Sequence, residues 1–304
     1  MIKILITGSN GHLGKKVIPC FSADIGIRII AVSRGHLRHP LPLNAVYEPM
    51  DITDRARVKM VFDRYRPDIV IHTAAMTHTD ACELDPKTTW RINVAGTDHI
   101  AEACRQHRTF MIHLSTDFIF DGTEGPYRED DCPHPLSHYG RSKLASEQIV
   151  TQAGISWAIV RTCLAYGFSP NASRLNILTW AKQSLEKGQK IRVVSDQFRT
   201  PTLMEDLASG IREIALRKLP GIYHLSGCEM MSIHEFVLKA ADILKLNPAL
   251  IEAVPTTALN EPAQRPPRTG FVVDKARKAF GFNPRLVSDG LLYVKQQMEA
   301  SARP

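Results

Sequence analysis

Apolar residues in the first half of the chain form short, β-rich runs separated by segments long enough for a helix. The runs read "IKILIT", "IRIIAVS", "DIVIHTA" and "TFMIHLS", and helical patterns begin at His12, near Arg55 and at Pro86. Short strands that alternate with helices are typical of repeated strand–helix–strand units, whose parallel sheet is covered on both faces. The pattern therefore predicts an α/β fold with a doubly wound parallel sheet.

The alternation continues through a helix that contains Tyr139 to Gln152 and a strand "SWAIVRT", and it becomes irregular after about residue 162. The later segment "MEDLASGIREIALRKLPGIYHLSG" again has the pattern of a helix followed by a strand, so the chain is expected to return to the sheet there. We predict one domain from residues 1–162 plus about 203–226, and a smaller second lobe from about 163–202 plus 227–304.

The composition is that of a globular protein, with 44% hydrophobic and 23% charged residues. The first apolar run stops at Gly8 and is too short for a signal sequence or a membrane span. The six cysteines contain no C-x-x-C pair, which argues against a disulfide framework and against a zinc cluster. We therefore expect a cytoplasmic protein with no membrane partner.

The formal net charge of +7 has two readings. The basic residues are interspersed with acids and aromatics make up only 7%, so the chain lacks the features of a nucleic-acid partner. Either the charge is ordinary surface charge, or it favours a small ligand that carries phosphate. The histidines provide no third metal ligand at a sensible spacing, so no metal site is expected.

A glycine-rich turn follows the first strand. Gly8, Gly11 and Gly14 have the spacing G-x-x-G-x-x-G and stand between a strand and a helix. Such glycines allow a tight turn, a close approach of the backbone to a pyrophosphate, and close packing of helix on strand. The motif predicts a dinucleotide site, and the alternative is a plain turn between strand and helix.

The residue after the second strand indicates which dinucleotide is preferred. A site for NAD has an acidic residue there, which binds the ribose hydroxyls, whereas this chain has Arg34. A guanidinium can pair with a 2′-phosphate, with Arg38 and Lys15 as helpers, so NADP(H) is the expected cofactor. The alternative is that Arg34 is simply a solvated residue.

Three residues suggest proton transfer to a carbonyl. Tyr139 and Lys143 are four residues apart on a predicted helix and so share one face, and Thr116 ends the strand "TFMIHLS". A nearby ammonium should lower the pKa of the phenol, and Tyr139 could then protonate a carbonyl that accepts a hydride. The Tyr–Lys spacing alone is weak evidence, but it follows a glycine turn and a strand-end hydroxyl in chain order.

These residues resemble the extended short-chain dehydrogenase/reductase superfamily and, within it, the dTDP-4-dehydrorhamnose reductase family. The resemblance covers nearly the whole chain and is most specific from Ser115 to Glu147. The segments that carry it are "TGSNGHLG", "RPDIVIHTAAMTHTDACE", "RINVAGT", "STDFIFDGTEGPYREDDCPHPLSHYGRSKLASE", "DQFRTPT", "GIYHLSG" and "EPAQRPPRT".

The resemblance implies a Rossmann-like fold and reduction of the 4-keto group of a nucleotide-linked deoxysugar by NADPH, most plainly dTDP-4-dehydro-L-rhamnose to dTDP-L-rhamnose. Thr116, Tyr139 and Lys143 would be catalytic. The implied cofactor residues are Gly8, Asn10, Gly11, His12, Leu13, Gly14, Arg34, Asp51, Ile52, Ala74, Ala75, Thr77, Leu114, Tyr139 and Lys143. The implied substrate residues are Thr116, Asp117, Leu164, Arg199 and Arg265, of which the two arginines could instead form salt bridges.

The chain also departs from the family. Leu164 stands where a Trp is usual, and Lys16 stands where some bacterial members have an acid at a dimer contact. Lys16 argues against that acid-mediated dimer, although a homodimer remains one option. The family includes a regulatory branch, the β subunit of methionine adenosyltransferase, so a non-catalytic NADP-binding regulator is the alternative function.

Overall fold

Strands and helices alternate along the first half of the chain. A computed structural model describes residues 1–170 and 174–302. The strands are β1 (Ile2–Thr7), β2 (Ile27–Ser33), β3 (Ala45–Pro49), β4 (Ile69–His72), β5 (Phe110–Thr116) and β6 (Trp157–Thr162). The helices are α1 (His12–Val17), α2 (Arg55–Tyr65), α3 (Thr79–Leu84), α4 (Pro86–Trp90), α5 (Gly96–His107) and α6 (His138–Gln152).

Shorter strands and longer connections fill the second half. The strands are β7 (Ala165–Tyr166), β8 (Ile191–Val194), β9 (Phe198–Arg199), β10 (Thr202–Leu203), β11 (Gly221–His224), β12 (Met231–Ser232) and β13 (Ile251–Val254). The helices are α7 (Ile177–Glu186), α8 (Met204–Arg217), α9 (Ile233–Leu244), α10 (Asp274–Phe280) and α11 (Val287–Ala302). None of the helices in the described ranges is both long and apolar enough to span a membrane.

Seven parallel strands form the central sheet, in the order β11-β6-β5-β4-β1-β2-β3. The order reverses between β1 and β4, so helices cover both faces. All seven residues of β5 are buried, as expected for a strand with helices on either side. The predicted doubly wound parallel sheet is confirmed.

Each face of the sheet has its own apolar core. Ile4 and Ile6 of β1 pack with α1 and α8 on one face, whereas Leu5 packs with α2 and α5 on the other. This separation follows from the alternation of side chains along a strand. Burial of these residues is the main favourable contribution to folding.

A third core defines a second lobe, formed by α7, α9, α11 and β8 around Tyr166 and Phe236. Asn176 and Ser232 begin α7 and α9 with capping boxes, which satisfy backbone N–H groups that would otherwise lack partners. The strand β11 pairs with β6 in parallel. Val273 and Ala276, at the start of α10, pack in the core of the sheet.

Candidate active site

The turn after β1 forms a narrow cradle of backbone. Gly8 has a φ of +67°, and a Cβ added there would lie 2.7 Å from Thr73 Oγ1 and 2.9 Å from the amide nitrogen of Ala74. A Cβ on Gly14 would lie 2.5 Å from the carbonyl oxygen of Gly8. Only glycine fits either position, and the cradle has the shape that a pyrophosphate requires.

The chain beyond β4 is fixed against this cradle. Thr7 Oγ1 accepts the N–H groups of Thr73 and Ala74 over 3.1 Å each, and Thr73 Oγ1 donates to the carbonyl of Thr7 over 2.6 Å. These bonds hold Ala74 beside the turn, and Ala75 follows it at the same carboxyl edge of the sheet. Thr77 is exposed two residues further on. The three predicted cofactor residues of this segment therefore lie at the edge where α/β sheets bind ligands.

Asn10 holds the segment after β2 onto the glycine turn. Its Nδ2 donates to the carbonyl of His36 over 2.9 Å, and its Oδ1 accepts the N–H of Arg38 over 3.0 Å. The structure thus gives the side chain of Asn10 a role in shaping the site. Arg34 and Arg38 are both exposed on this segment.

Arg38 lies near enough to Lys15 for their charges to interact. Burial lowers the pKa of Lys15, and the charge of Arg38 lowers it further. Two cations that lie close together beside a phosphate cradle would attract an anion with two negative charges, which would also offset their mutual repulsion. Sequence analysis gave Arg38 only a helper's place, because the fold of residues 33–39 over the turn could not be seen.

The start of α1 also contacts the second lobe. His12 Nε2 lies 2.7 Å from the carbonyl oxygen of Arg174, and Lys15 Nζ donates to the carbonyl of Pro170 over 3.0 Å. Gly11 precedes the helix in an extended conformation, and Leu13 packs on the core of the sheet. The predicted cofactor residues of α1 therefore lie between the two lobes.

Asp51 and Ile52 lie just beyond β3. Asp51 Oδ1 accepts both the N–H and the hydroxyl of Thr53 over 2.9 Å each, and Ile52 is buried. Ile52 packs against α5, where a Cβ on Gly96 would lie 2.7 Å from its Cδ1. These contacts support a side wall of the carboxyl edge.

Thr116, Tyr139 and Lys143 come together at the same edge. Ser137 caps α6 by accepting the N–H of Gly140 over 3.2 Å, and a Cβ on Gly140 would lie 2.2 Å from the carbonyl oxygen of Phe118. The glycine therefore lets α6 approach the end of β5, which brings Tyr139 beside Thr116. All three predicted catalytic side chains are buried.

The electrostatics of the phenol differ from the sequence-based expectation. Burial raises the pKa of Tyr139, the hydrogen bond to Thr116 lowers it, and the charge of Asp117 raises it. Lys143 Nζ donates to the carbonyl of Leu114 over 2.6 Å. Burial lowers the pKa of Lys143 itself to about 8. Leu114 thus enters the site as the acceptor for this ammonium.

Two buried histidines adjoin Lys143, and sequence analysis did not select them. His113 Nε2 lies 3.2 Å from Lys143 Nζ and 2.9 Å from Ser146 Oγ. The ring of His72 stacks on that of His113 at 5.4 Å. Burial lowers the pKa of both rings, and that of His72 falls to about 3. The available signal was a polar residue inside each apolar run.

A π-helical turn over Arg91–Ala95 interrupts the helical pattern that begins at Pro86. It places Asn93 against the neighbouring segments. Asn93 Oδ1 accepts the N–H of Met76 over 2.7 Å, and its Nδ2 donates to Ser142 Oγ over 3.0 Å. Such turns are often found near functional sites.

Asp117 and Arg199, which were predicted to bind substrate, contact each other. Arg199 is 2% exposed and Asp117 is 3% exposed. Their closest atoms, Arg199 Nε and Asp117 Oδ2, are 3.5 Å apart. Both charges are therefore already paired within the protein.

Arg265 and Leu164 lie in the second half of the chain. Arg265 pairs with Asp80 of α3 and with Glu261, at 2.7 Å each, and its side chain is 16% exposed. Leu164 has a φ of +38° and packs between the second-lobe core and a small cluster around Cys163. A left-handed conformation is costly for leucine and is most often found at functional sites.

Comparisons with known proteins show which family this chain is similar to. The family model described as "RmlD substrate binding domain" matches residues 2–299. The chain is 30% identical over 297 residues to a dTDP-4-dehydrorhamnose reductase of Aggregatibacter actinomycetemcomitans, covering 93% of this chain and 95% of that protein. It is 31% identical over 250 residues to the methionine adenosyltransferase 2 subunit beta of Xenopus laevis, covering 80% of this chain and 72% of that protein.

A solved structure has the same fold. The dTDP-4-dehydrorhamnose reductase of Bacillus anthracis, in complex with NADP, superimposes with a TM-score of 0.83 at 28% identity. The superposition covers 98% of this chain and 100% of that one. The resemblance noted from the sequence motifs is confirmed.

Proposed function

The chain belongs to the family described as RmlD substrate binding domain, and from this membership we propose that it is an NADPH-dependent reductase of a nucleotide-linked 4-keto-6-deoxysugar. The proposed reaction converts dTDP-4-dehydro-L-rhamnose to dTDP-L-rhamnose. The observation that carries the proposal is the assembly of Thr116, Tyr139 and Lys143 beside the glycine cradle, at one edge of the sheet. Each group has a place in a carbonyl reduction.

The cradle fits the cofactor. Gly8 and Gly14 leave room for the pyrophosphate, and Lys15 and Arg38 provide the positive charge that a 2′-phosphate requires. Bound NADPH supplies a hydride. In this proposal the remaining contacts of the cofactor come from Asn10, the segment after β4 and the residues beyond β3.

The side chains of the site provide and position the proton that the substrate carbonyl accepts. Tyr139 donates its phenol proton to the oxygen of the substrate carbonyl as the alkoxide forms. Lys143 has a pKa of about 8, so it carries a positive charge at neutral pH and can hold the nicotinamide ribose. Thr116 ends β5 beside the phenol, and Asp117 fixes its hydroxyl.

The sugar and its diphosphate would lie toward the second lobe. Leu164 borders the small cluster at the end of β6 and is proposed as an apolar contact for the sugar. Arg265 remains a proposed diphosphate ligand, since part of its guanidinium side chain is exposed. In this proposal residues 1–162 plus about 203–226 bind the cofactor, and most of the remaining chain binds the substrate.

Two further assignments complete the proposal. We place the protein in the cytoplasm, where nucleotide sugars are reduced. Lys16 is engaged within the chain, because its Nζ lies 2.7 Å from Glu205 Oε1. A homodimer would therefore have to use other residues than Lys16.

A regulatory role is the second candidate function. The similarity to the methionine adenosyltransferase β subunit extends over 80% of the chain and favours it. In that case the site would bind NADP(H) without turnover, and Tyr139 would have no chemical task.

Turnover separates the two functions. Purified protein is mixed with NADPH and a panel of nucleotide 4-keto sugars, and the loss of NADPH absorbance is recorded. The reductase proposal expects turnover of at least one 4-keto sugar. NADPH binding without turnover of any of them would support the regulatory role.

A further inference from the structure

A buried ion pair joins the second lobe to the proposed proton donor. Asp117 follows directly after β5, and Arg199 ends β9. Asp117 Oδ2 lies 3.5 Å from Arg199 Nε, and the two side chains are 4% and 3% exposed. Charges in such a position are shielded from water, so each depends on its partner for compensation.

The carboxylate of Asp117 sets the direction of the hydrogen bonds at Thr116. Thr116 Oγ1 donates to Asp117 Oδ1 over 3.1 Å and accepts the N–H of Phe118 over 3.3 Å. A hydroxyl has a single hydrogen to donate, and here Asp117 accepts it. The carboxylate therefore fixes the orientation of the hydroxyl of Thr116.

The ring of Phe118 provides a second contact between Arg199 and Tyr139. The guanidinium carbon of Arg199 lies 5.5 Å from the centre of this ring. The same ring meets the ring of Tyr139 in an edge-on arrangement, at 5.8 Å and 64°. Both geometries are attractive. A displacement of Arg199 would thus reach the phenol through the ring as well as through the carboxylate.

The second lobe fixes the orientation of Arg199. Its Nη1 donates to the carbonyl of Phe198 over 2.7 Å, and its Nη2 donates to the carbonyl of Pro266 over 2.9 Å. Thr269 of the same lobe donates to Asp117 Oδ2. These bonds direct Nε toward Asp117 and not toward a ligand.

We propose that Arg199 is a positioning residue, which acts through Asp117 and the ring of Phe118 to hold the hydroxyl of Thr116 and the ring of Tyr139 in place. This inference rests on the proposed reductase function, and it replaces the expected role of Arg199 as a diphosphate ligand. It makes the geometry of the proton donor depend on the seating of β9 against the end of β5. The second lobe then takes part in the chemistry.

The charged and titratable groups that face Asp117 come from three elements. Arg199 comes from β9, Tyr139 from α6, and Cys163 from the residue after β6, whose Sγ donates to Asp117 Oδ2 over 3.3 Å. Burial raises the pKa of both the phenol and the thiol, so both are neutral at ordinary pH. Arg199 is therefore the cation that compensates the carboxylate.

The variant Arg199→Gln tests the proposal by its pH profile. An unpaired buried carboxyl has a raised pKa, and its protonated form would donate to Thr116 instead of accepting from it. We expect kcat to fall at least about tenfold, since small misplacements of a reacting group are costly. The KM for the sugar should change less than about threefold, because Arg199 does not contact the substrate in this proposal and ground-state binding is therefore unchanged. Below neutral pH, kcat should fall further, along an acid limb that the wild type lacks.

Two more variants keep the test decisive. Arg199→Lys retains the positive charge, so its pH profile should lack the acid limb that is expected for Arg199→Gln. The double variant Asp117→Asn with Arg199→Gln removes both charges. Loss of a whole buried ion pair destabilises a protein less than loss of one partner, so this variant remains informative even if Arg199→Gln alone does not fold. It should lack the acid limb but keep a low kcat.

The outcomes are distinct. A folded Arg199→Gln with the wild-type kcat and pH profile would overturn the proposal, and so would a double variant with wild-type kcat. A large rise in KM at unchanged kcat would overturn it in favour of a substrate contact. Wild-type protein that reduces no 4-keto sugar would instead remove the reductase function on which the proposal rests.

Arg285→Gln is the matched control. Arg285 is ion-paired with Asp206 of α8, away from the proposed site. Its loss should lower the melting temperature without altering the pH profile of kcat. NADPH binding, followed by fluorescence, should be unchanged in Arg199→Gln and in the control.

Discussion

The phenol of Tyr139 is the side chain on which the proposed chemistry depends most directly. Tyr139→Phe keeps the ring and its edge-on contact with Phe118 but removes the proton that the carbonyl requires. Turnover should fall by about 10²–10⁴-fold, which is typical of the loss of a general acid. NADPH affinity should change little. Steady-state rates and a fluorescence titration measure the two quantities, and wild-type turnover in this variant would remove Tyr139 as the donor.

The preference for NADPH over NADH should depend on Arg38 more than on Arg34. Arg38 lies close enough to Lys15 to lower the pKa of that lysine, whereas Arg34 is only exposed beside the turn. Arg38→Ala should weaken NADPH binding by about 1.5–3 kcal/mol, the range of a charge-assisted hydrogen bond. NADH binding should be nearly unchanged.

Arg34→Ala is the matched variant for this prediction. It removes the same kind of side chain four residues earlier. It should have the smaller effect on the ratio of the dissociation constants for NADPH and NADH. The reverse result would restore Arg34 as the ligand of the 2′-phosphate, as the sequence alone suggested.

At the scale of elements, the site depends on how closely α6 approaches the end of β5. A Cβ on Gly140 would lie 2.2 Å from the carbonyl oxygen of Phe118, so Gly140→Ala must push the helix away. We expect a loss of about 1–3 kcal/mol in the free energy of unfolding, as for other overpacked sites. Turnover should fall about 10²-fold, because Tyr139 moves with the helix.

Gly26→Ala is the control for this helix displacement. A Cβ on Gly26 would meet nothing within 4 Å. Denaturant unfolding and steady-state rates should therefore both match the wild type. Wild-type turnover in Gly140→Ala would show that the approach of α6 is not needed for the chemistry.

Sequence patterns predicted the elements of this fold well, because each depends on local periodicity. The strands of the sheet are rich in apolar residues, and the turn after β1 has glycines where no Cβ fits. The order of glycine turn, Thr116 and the Tyr–Lys pair likewise needed no knowledge of distant contacts.

Contacts between distant segments could not be predicted in this way. Lys143 donates to the carbonyl of Leu114 in β5, a contact that the Tyr–Lys spacing does not indicate. Arg199 and Asp117 are far apart in sequence and meet only because β9 packs against the end of β5. A spacing rule describes neighbours on one helix, whereas these pairs depend on how two elements are docked.

At the scale of the whole molecule, three buried neutral histidines should make the protein sensitive to acid. Burial lowers the pKa of His72 and of His224 to about 3, and that of His113 falls well below its ordinary 6.5. Between about pH 6.5 and pH 3, the unfolded chain therefore binds protons that the folded chain does not. Stability should fall as pH falls through this window, by up to about 1.4 kcal/mol per pH unit for each histidine.

Urea unfolding at a series of pH values measures this slope. His72→Asn should reduce this slope, because one of the three histidines whose pKa differs between the folded and unfolded states has been removed. The exposed His36→Gln serves as the control and should leave the slope unchanged. An equal slope in wild type and His72→Asn would exclude a contribution from that ring.

The late return of the chain to the sheet has a consequence for synthesis on the ribosome. When the first 162 residues have emerged, β6 still lacks β11, and Val273 and Ala276 are not yet available to cover their part of the core. A nascent chain at this stage exposes an unpaired strand and uncovered apolar surface, which are the features that lead intermediates to aggregate. The domain that contains the sheet therefore cannot complete its folding in the order of translation. A translational pause or a chaperone that acts before residue 282 has emerged should affect aggregation more than one that acts later.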